Sequence, residues 1–217
     1  MNVVNKLEQD GQKCLTNKKT ESNEMNQLNT FLADPSINPD FQGKFGFTVL
    51  IRAVQAEDKS VVEGILACHR VDANLADDNG YTPLIWAADQ GSVGIVRLLL
   101  KRKDIKVNQV DSDGYTPLMW AADMGHYKIV KKLLWHDDLD VNIQDADGHT
   151  ALIWAADKGH AHIVRTLLGV KSIDTNIQSK EGFTALICAA GQGYLDIVRD
   201  LLDSGETNAY MVDSCGF

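Results

Sequence analysis

Apolar and polar positions along the chain follow two alternating rhythms that repeat as a block. One stretch of each block carries Ile95, Val96, Leu99 and Leu100, at i, i+1, i+4 and i+5, which is one face of a helix. The same face returns as Ile129, Val130, Leu133 and Leu134, then Ile163, Val164, Leu167 and Leu168, then Ile197, Val198, Leu201 and Leu202. A shorter apolar stretch precedes each and ends in a small pair: Ala87-Ala88, Ala121-Ala122, Ala155-Ala156 and Ala189-Ala190. Two helices per block are therefore expected. The first presents small side chains, and these allow close approach of a neighbouring helix.

The punctuation agrees. Gly46, Gly80, Gly114, Gly148, Gly182 and Gly216 are spaced 34 residues apart. The dipeptides Asn79-Gly80, Asp113-Gly114 and Asp147-Gly148 predict tight hairpin turns. Thr48, Thr82, Thr116, Thr150 and Thr184 stand where a side-chain oxygen can cap the first helix. Pro83 and Pro117 follow at the first helical position, where a missing N–H leaves no bond unmade. Gly91, Gly125, Gly159 and Gly193 break the chain before the second helix. A single helix pair cannot bury its apolar face, but stacked pairs can, so the pattern predicts a solenoid.

The words G-Y-T-P-L-I-W-A-A, G-Y-T-P-L-M-W-A-A and G-H-T-A-L-I-W-A-A resemble the ankyrin repeat. Its usual word is T-P-L-H-x-A, with a period of about 33 residues. The resemblance implies an all-α fold, an ankyrin-repeat solenoid of stacked helix-turn-helix units joined by β-hairpin loops. The histidine of that word is replaced by Ile85, Met119, Ile153 and Ile187, exchanging an inter-repeat hydrogen bond for apolar contact. Repeats are placed at 45–78, 79–112, 113–146, 147–180 and 181–212. Residues 1–44 are expected to form N-terminal capping helices, their first part disordered. Residues 213–217 read as the start of a sixth repeat or as a C-terminal cap, with a piece of a longer protein the favoured explanation.

In the family, partners bind the concave surface formed by hairpin tips and first helices. Three repeat positions supply it here. The first reads Tyr81, Tyr115 and His149, the second Trp86, Trp120 and Trp154, and the third Asp89, Asp123 and Asp157. Trp86 and Asp89 are three apart and share a helix face. These ladders can fill space between successive helices, or they can form a recognition strip. An aromatic row beside carboxylates suits a cation. The word G-Y-T-P-L-I-W-A-A-D is also similar to one in the ankyrin domains of euchromatic histone methyltransferases, which bind methylated lysine. That likeness implies a cage of Tyr81, Trp86, Asp89 and Trp120, repeated at Tyr115, Trp120, Asp123 and Trp154. Tyrosine stands there for a tryptophan, and aspartate for glutamate. Asn74, Asn108, Asn142 and Asn176 recur with the period and, by the same family resemblance, bond to turn backbone. His126 and His160 follow the second glycine and are expected to pack and cap.

Charge and composition narrow the function. The net charge of −9 argues against a nucleic-acid surface and favours basic partners. No apolar run is long enough to span a bilayer, and the first residues lack the apolar core of a signal peptide. Cys14, Cys68, Cys188 and Cys215 are scattered, so neither a zinc site nor a disulfide framework is expected. No catalytic, metal or cofactor constellation is visible. The expectation is a monomeric, non-catalytic scaffold for a protein or peptide partner, cytoplasmic, with the nucleus or the host cytosol of a bacterial effector as alternatives. Two other roles stay open: a reader of basic or methyl-lysine peptides, and the targeting arm of a larger enzyme or secreted effector.

Overall fold

The computed structural model describes residues 30 and 32–216. It divides into two units, residues 1–38 and 39–217. In the first, residues 30, 32 and 33 are helical, and Asp34 closes the turn that follows by accepting from the Ser36 amide and hydroxyl. Of residues 1–44, expected to form capping helices, the first 29 lie outside the described residues.

The second unit carries ten α-helices in five pairs, and no strand occurs among the described residues. The pairs are α1 (Val49–Gln55) with α2 (Lys59–Leu66), α3 (Pro83–Asp89) with α4 (Val93–Leu99), and α5 (Pro117–Asp123) with α6 (Tyr127–Leu133). They continue as α7 (Ala151–Asp157) with α8 (Ala161–Leu168), and α9 (Ala185–Gln192) with α10 (Leu195–Asp203). The odd helices stack side by side in one row and the even helices in another.

Local chemistry explains the starts of the first row. Each threonine hydroxyl accepts from the backbone amide three residues on, as in Thr82 to Ile85 and Thr116 to Met119 at 3.1 and 3.2 Å. Pro83 and Pro117 occupy the first turn. The hairpins form as expected: Gly80 N–H donates to Asp77 O and Asp77 N–H to Tyr81 O, with Gly80 at φ +81°. Successive hairpins are joined by one backbone bond each, such as Ser112 N to Asn79 O at 3.0 Å and Ala146 N to Asp113 O at 2.9 Å. A single bond per turn is too little for a strand ladder.

The core lies between the rows. Ile85, Met119 and Ile153, at the place of the family histidine, are fully buried. The alanine pairs are buried up to α7, but Ala190 of α9 is exposed. On the second helices the apolar stripe is narrower than expected. Ile129, Val130 and Leu133 are buried, whereas Leu100, Leu134 and Leu168 are half-buried and Leu202 is exposed. Leu100 and Leu134 are the C-caps of their helices and Leu168 is the last residue of α8, whereas Leu202 lies inside α10, which no further helix pair follows among the described residues.

Side chains tie repeat to repeat. The Asn142 amide donates to Ser172 O while its oxygen accepts from Asp174 N, at 2.6 and 2.9 Å. Asn74, Asn108 and Asn176 make the same pair of bonds to the following repeat. His126 Nε2 lies 2.9 Å from Asp89 O, and His160 Nε2 lies 2.9 Å from Asp123 O. The His160 ring fills the space beside Gly125, so a Cβ there would stand 2.7 Å from it. Glycine is needed there twice over, because φ is +74°.

Candidate functional site

Each of the three central hairpins holds a buried aspartate that sequence reasoning missed. Asp77, Asp111 and Asp145 are 5–7% exposed. One carboxylate oxygen of Asp111 accepts from the amides of Asp113 and Tyr115 at 3.0 and 2.9 Å. The other accepts from the indole N–H of Trp120 at 2.8 Å. Asp77 with Trp86 and Asp145 with Trp154 repeat this geometry at 2.9 and 2.8 Å. A charged acceptor with three donors is among the stronger bonds a fold can make. Here it pins the first helix to its own hairpin.

The rings form a continuous ladder across four repeats. Trp120 touches Tyr115 of its own hairpin and Tyr81 of the preceding one, with centroids 5.0 and 5.5 Å apart. Trp86 meets Tyr81 at 4.9 Å and Phe47 at 6.4 Å, and Trp154 meets Tyr115 at 5.3 Å and His149 at 4.9 Å. These separations are those of favourable tilted aromatic pairs. Burial, reinforced by Asp111, Asp89 and other nearby carboxylates, pushes the Tyr81 hydroxyl up to about 12, and Tyr115 moves in the same direction. Both stay neutral at physiological pH.

Asp89, Asp123 and Asp157 stand at the ends of α3, α5 and α7 and are half-buried. The Asp89 carboxylate has no hydrogen bond or ion pair among the described residues. Burial raises its carboxyl above the usual range, against the nearby His126 and with help from Asp123. One Asp123 oxygen is buried without a hydrogen bond, its nearest cation being Lys158 Nζ at 3.8 Å. Lys158 also pairs with Asp157 at 3.0 Å and lies 5.1 Å from the Trp154 ring. For Asp157 burial acts upward, but the bonds from Gln192 and Lys158 and the lysine charge outweigh it, leaving the carboxyl below its usual range. The strip thus offers three carboxylates, with Lys158 their sole basic ion-pair partner among the described residues.

The ladder degrades at both ends in a correlated way. Where Cys188 replaces tryptophan, Ser179 replaces the hairpin aspartate, and where Arg52 does, the hairpin position is Gly43. That pairing nine residues apart was the available signal for the missed aspartates. The Ser179 hydroxyl still accepts from Phe183 N at 3.1 Å. Burial, with the Asp157 charge, pushes the Cys188 thiol up to about 11, which keeps it protonated and a weak nucleophile.

Among the described residues no group of three or more His, Cys, Asp and Glu side chains could hold a metal ion, and no helix is long and apolar enough to cross a membrane. The family model described as ankyrin repeats (three copies) matches residues 19–111, 50–145 and 137–211. No curated protein matches the chain.

Proposed function

The chain belongs to the ankyrin-repeat family, whose arrays generally mediate protein–protein interaction, and on that premise we propose that it is a non-catalytic scaffold. Its partner presents an extended, positively charged segment along the concave face of the stack. Tyr81, Tyr115 and His149 supply the aromatic wall, with Trp86, Trp120 and Trp154 behind them. Asp89, Asp123 and Asp157 supply the charge.

One observation supports this reading above the others: the mismatch of charges on the strip. Half-buried carboxylates recur on three successive helices of the first row, and among the described residues Lys158 is the one basic side chain that forms an ion pair with them. Asp89 has no such partner and one Asp123 oxygen is buried without a hydrogen bond, and leaving groups of this kind partly desolvated costs stability. A lysine or arginine of a partner would supply the missing counter-charge. A narrower role as a methyl-lysine reader fits the ring geometry less well. Tyr81 packs against both Trp86 and Trp120, at centroid spacings of 4.9 and 5.5 Å, so ring surface that a cage would turn towards a cation is taken up by ring contacts.

Selection from a library of short random peptides tests the proposal. Wild-type protein should enrich sequences rich in lysine and arginine. The variant with Asp89→Asn, Asp123→Asn and Asp157→Asn should not. Retention of the same basic class by a folded triple variant would move the site elsewhere. Methylated and unmethylated versions of a selected peptide should bind alike.

A further inference from the structure

On the opposite row of helices, α4 and α6 enclose an open groove of about 750 Å³. Its apolar surface comes from Val93, Leu100 and Trp135. Its rim carries Arg97, Lys101, Lys128, Lys131 and Lys132. None of these five cations has a carboxylate within ion-pair distance among the described residues. One, Lys131, lies 5.7 Å from the Tyr127 ring. In a chain of net charge −9, this is a local inversion of sign.

The repeat supplies its own comparison. Arg165 stands 34 residues after Lys131, on α8, and is neutralised by Asp196 and Asp200 at 3.6 and 2.7 Å. The outer face of α8 and α10 is thus balanced where that of α4 and α6 is not. Trp135 is equally out of pattern. The equivalent positions are Ala67, Lys101, Gly169 and Asp203, so the repeat does not call for tryptophan there. The side chain is 84% exposed, and it packs no core. A lone exposed apolar residue is ordinary. An indole at the head of a groove with five unpaired cations has the composition of a binding hot spot.

We propose that this groove is a second interaction surface, which takes an acidic segment of a partner protein with one apolar anchor side chain seated against Trp135 and Leu100. Charge complementarity selects the occupant. The cations cluster along two short helices, so a short acidic segment meets them alone. A nucleic-acid duplex or an anionic bilayer would extend past them onto the acidic remainder of the surface, where it is repelled. The apolar floor also favours a side chain over a bare phosphate, which would gain nothing from Trp135.

The same random-peptide selection tests this surface independently of the carboxylate strip. Wild type should enrich a second class, rich in aspartate and glutamate around one leucine or aromatic residue. Lys128→Glu with Lys132→Glu should lose that class and keep the basic one. Trp135→Ala, at so exposed a position, should fold normally and weaken a selected acidic peptide about tenfold, through loss of a hot-spot side chain. Peptide binding should shift the Trp135 fluorescence to shorter wavelength. The proposal is overturned if no acidic class is enriched, or if both variants keep it. It is also overturned if phosphatidylserine vesicles or a single-stranded oligonucleotide bind in a Trp135-dependent way more tightly than the selected peptides.

Discussion

The bond between Asp111 and Trp120 gives a framework role to a residue of the proposed binding strip. Asp111 is 5% exposed and accepts three N–H donors, one of them the indole at 2.8 Å. Asp111→Asn preserves the oxygen that serves the two backbone amides. It then turns an amide N–H towards the indole N–H, so that two buried donors face each other. The charge-assisted bond is worth about 1.5–3 kcal/mol and an orphaned buried donor costs about 1–3 kcal/mol. Destabilisation of about 2–4 kcal/mol is expected, on the order of 5–10 °C in Tm for a chain of this size. Trp120→Phe removes the donor from the other side and strands a carboxylate oxygen, with a similar effect. The double variant should cost less than the sum by about 1–2 kcal/mol, because each change removes the same bond. Urea denaturation followed by far-ultraviolet circular dichroism measures all four corners of the cycle. Additivity within about 0.3 kcal/mol would mean that the bond does not hold the helix to its hairpin.

Two further outcomes follow from the same geometry. Asp89→Asn and Asp157→Asn should move stability in opposite directions at neutral pH. The folded-state carboxyl of Asp89 is raised, so the native protein binds the extra proton, and stability is lost as pH rises from the unfolded value through the raised one. That of Asp157 is lowered, so its contribution is present above the unfolded value and is lost as pH falls through the folded one. Thermal melts between acidic and neutral pH should therefore show Asp89→Asn more stable than wild type and Asp157→Asn less stable; a shared sign would contradict the assignment. Gly125→Ala should destabilise more than Gly193→Ala. Both glycines have positive φ, but a Cβ at Gly125 meets the His160 ring at 2.7 Å, whereas one at Gly193 meets nothing within 4 Å. Equal melting points would refute the ring-into-groove contact.

Much of this fold is written locally. The threonine caps, the first-turn prolines, the hairpin glycines and the apolar stripe each act within a few residues, and repetition multiplies the signal. The strip was legible as far as its residue types and spacing. What tryptophan and aspartate do there was not. The indole partner lies nine residues upstream in the hairpin, and its sequence trace is the joint replacement at Ser179 and Cys188 and again at Gly43 and Arg52. The fourth residue of the stripe is less buried than its period implies at Leu100 and Leu134, which sit at helix ends, where period alone does not report the turn of the chain. The basic groove was illegible for a related reason. Lys101 and Trp135 lie just beyond the ends of α4 and α6, and that they share a groove with Arg97, Lys128, Lys131 and Lys132 depends on how the two helices pack.

The central claim is that the carboxylate strip binds a basic segment, and calorimetric titration of a selected lysine-rich peptide tests it most directly. Each exposed or half-exposed carboxylate contributes about 0.2–1 kcal/mol to such a contact. The variant with Asp89→Asn, Asp123→Asn and Asp157→Asn should therefore bind about threefold to a hundredfold more weakly than wild type. Wild-type affinity should also fall as salt is raised, and the variant's far less. Unchanged affinity and unchanged salt dependence in the folded variant would contradict the account.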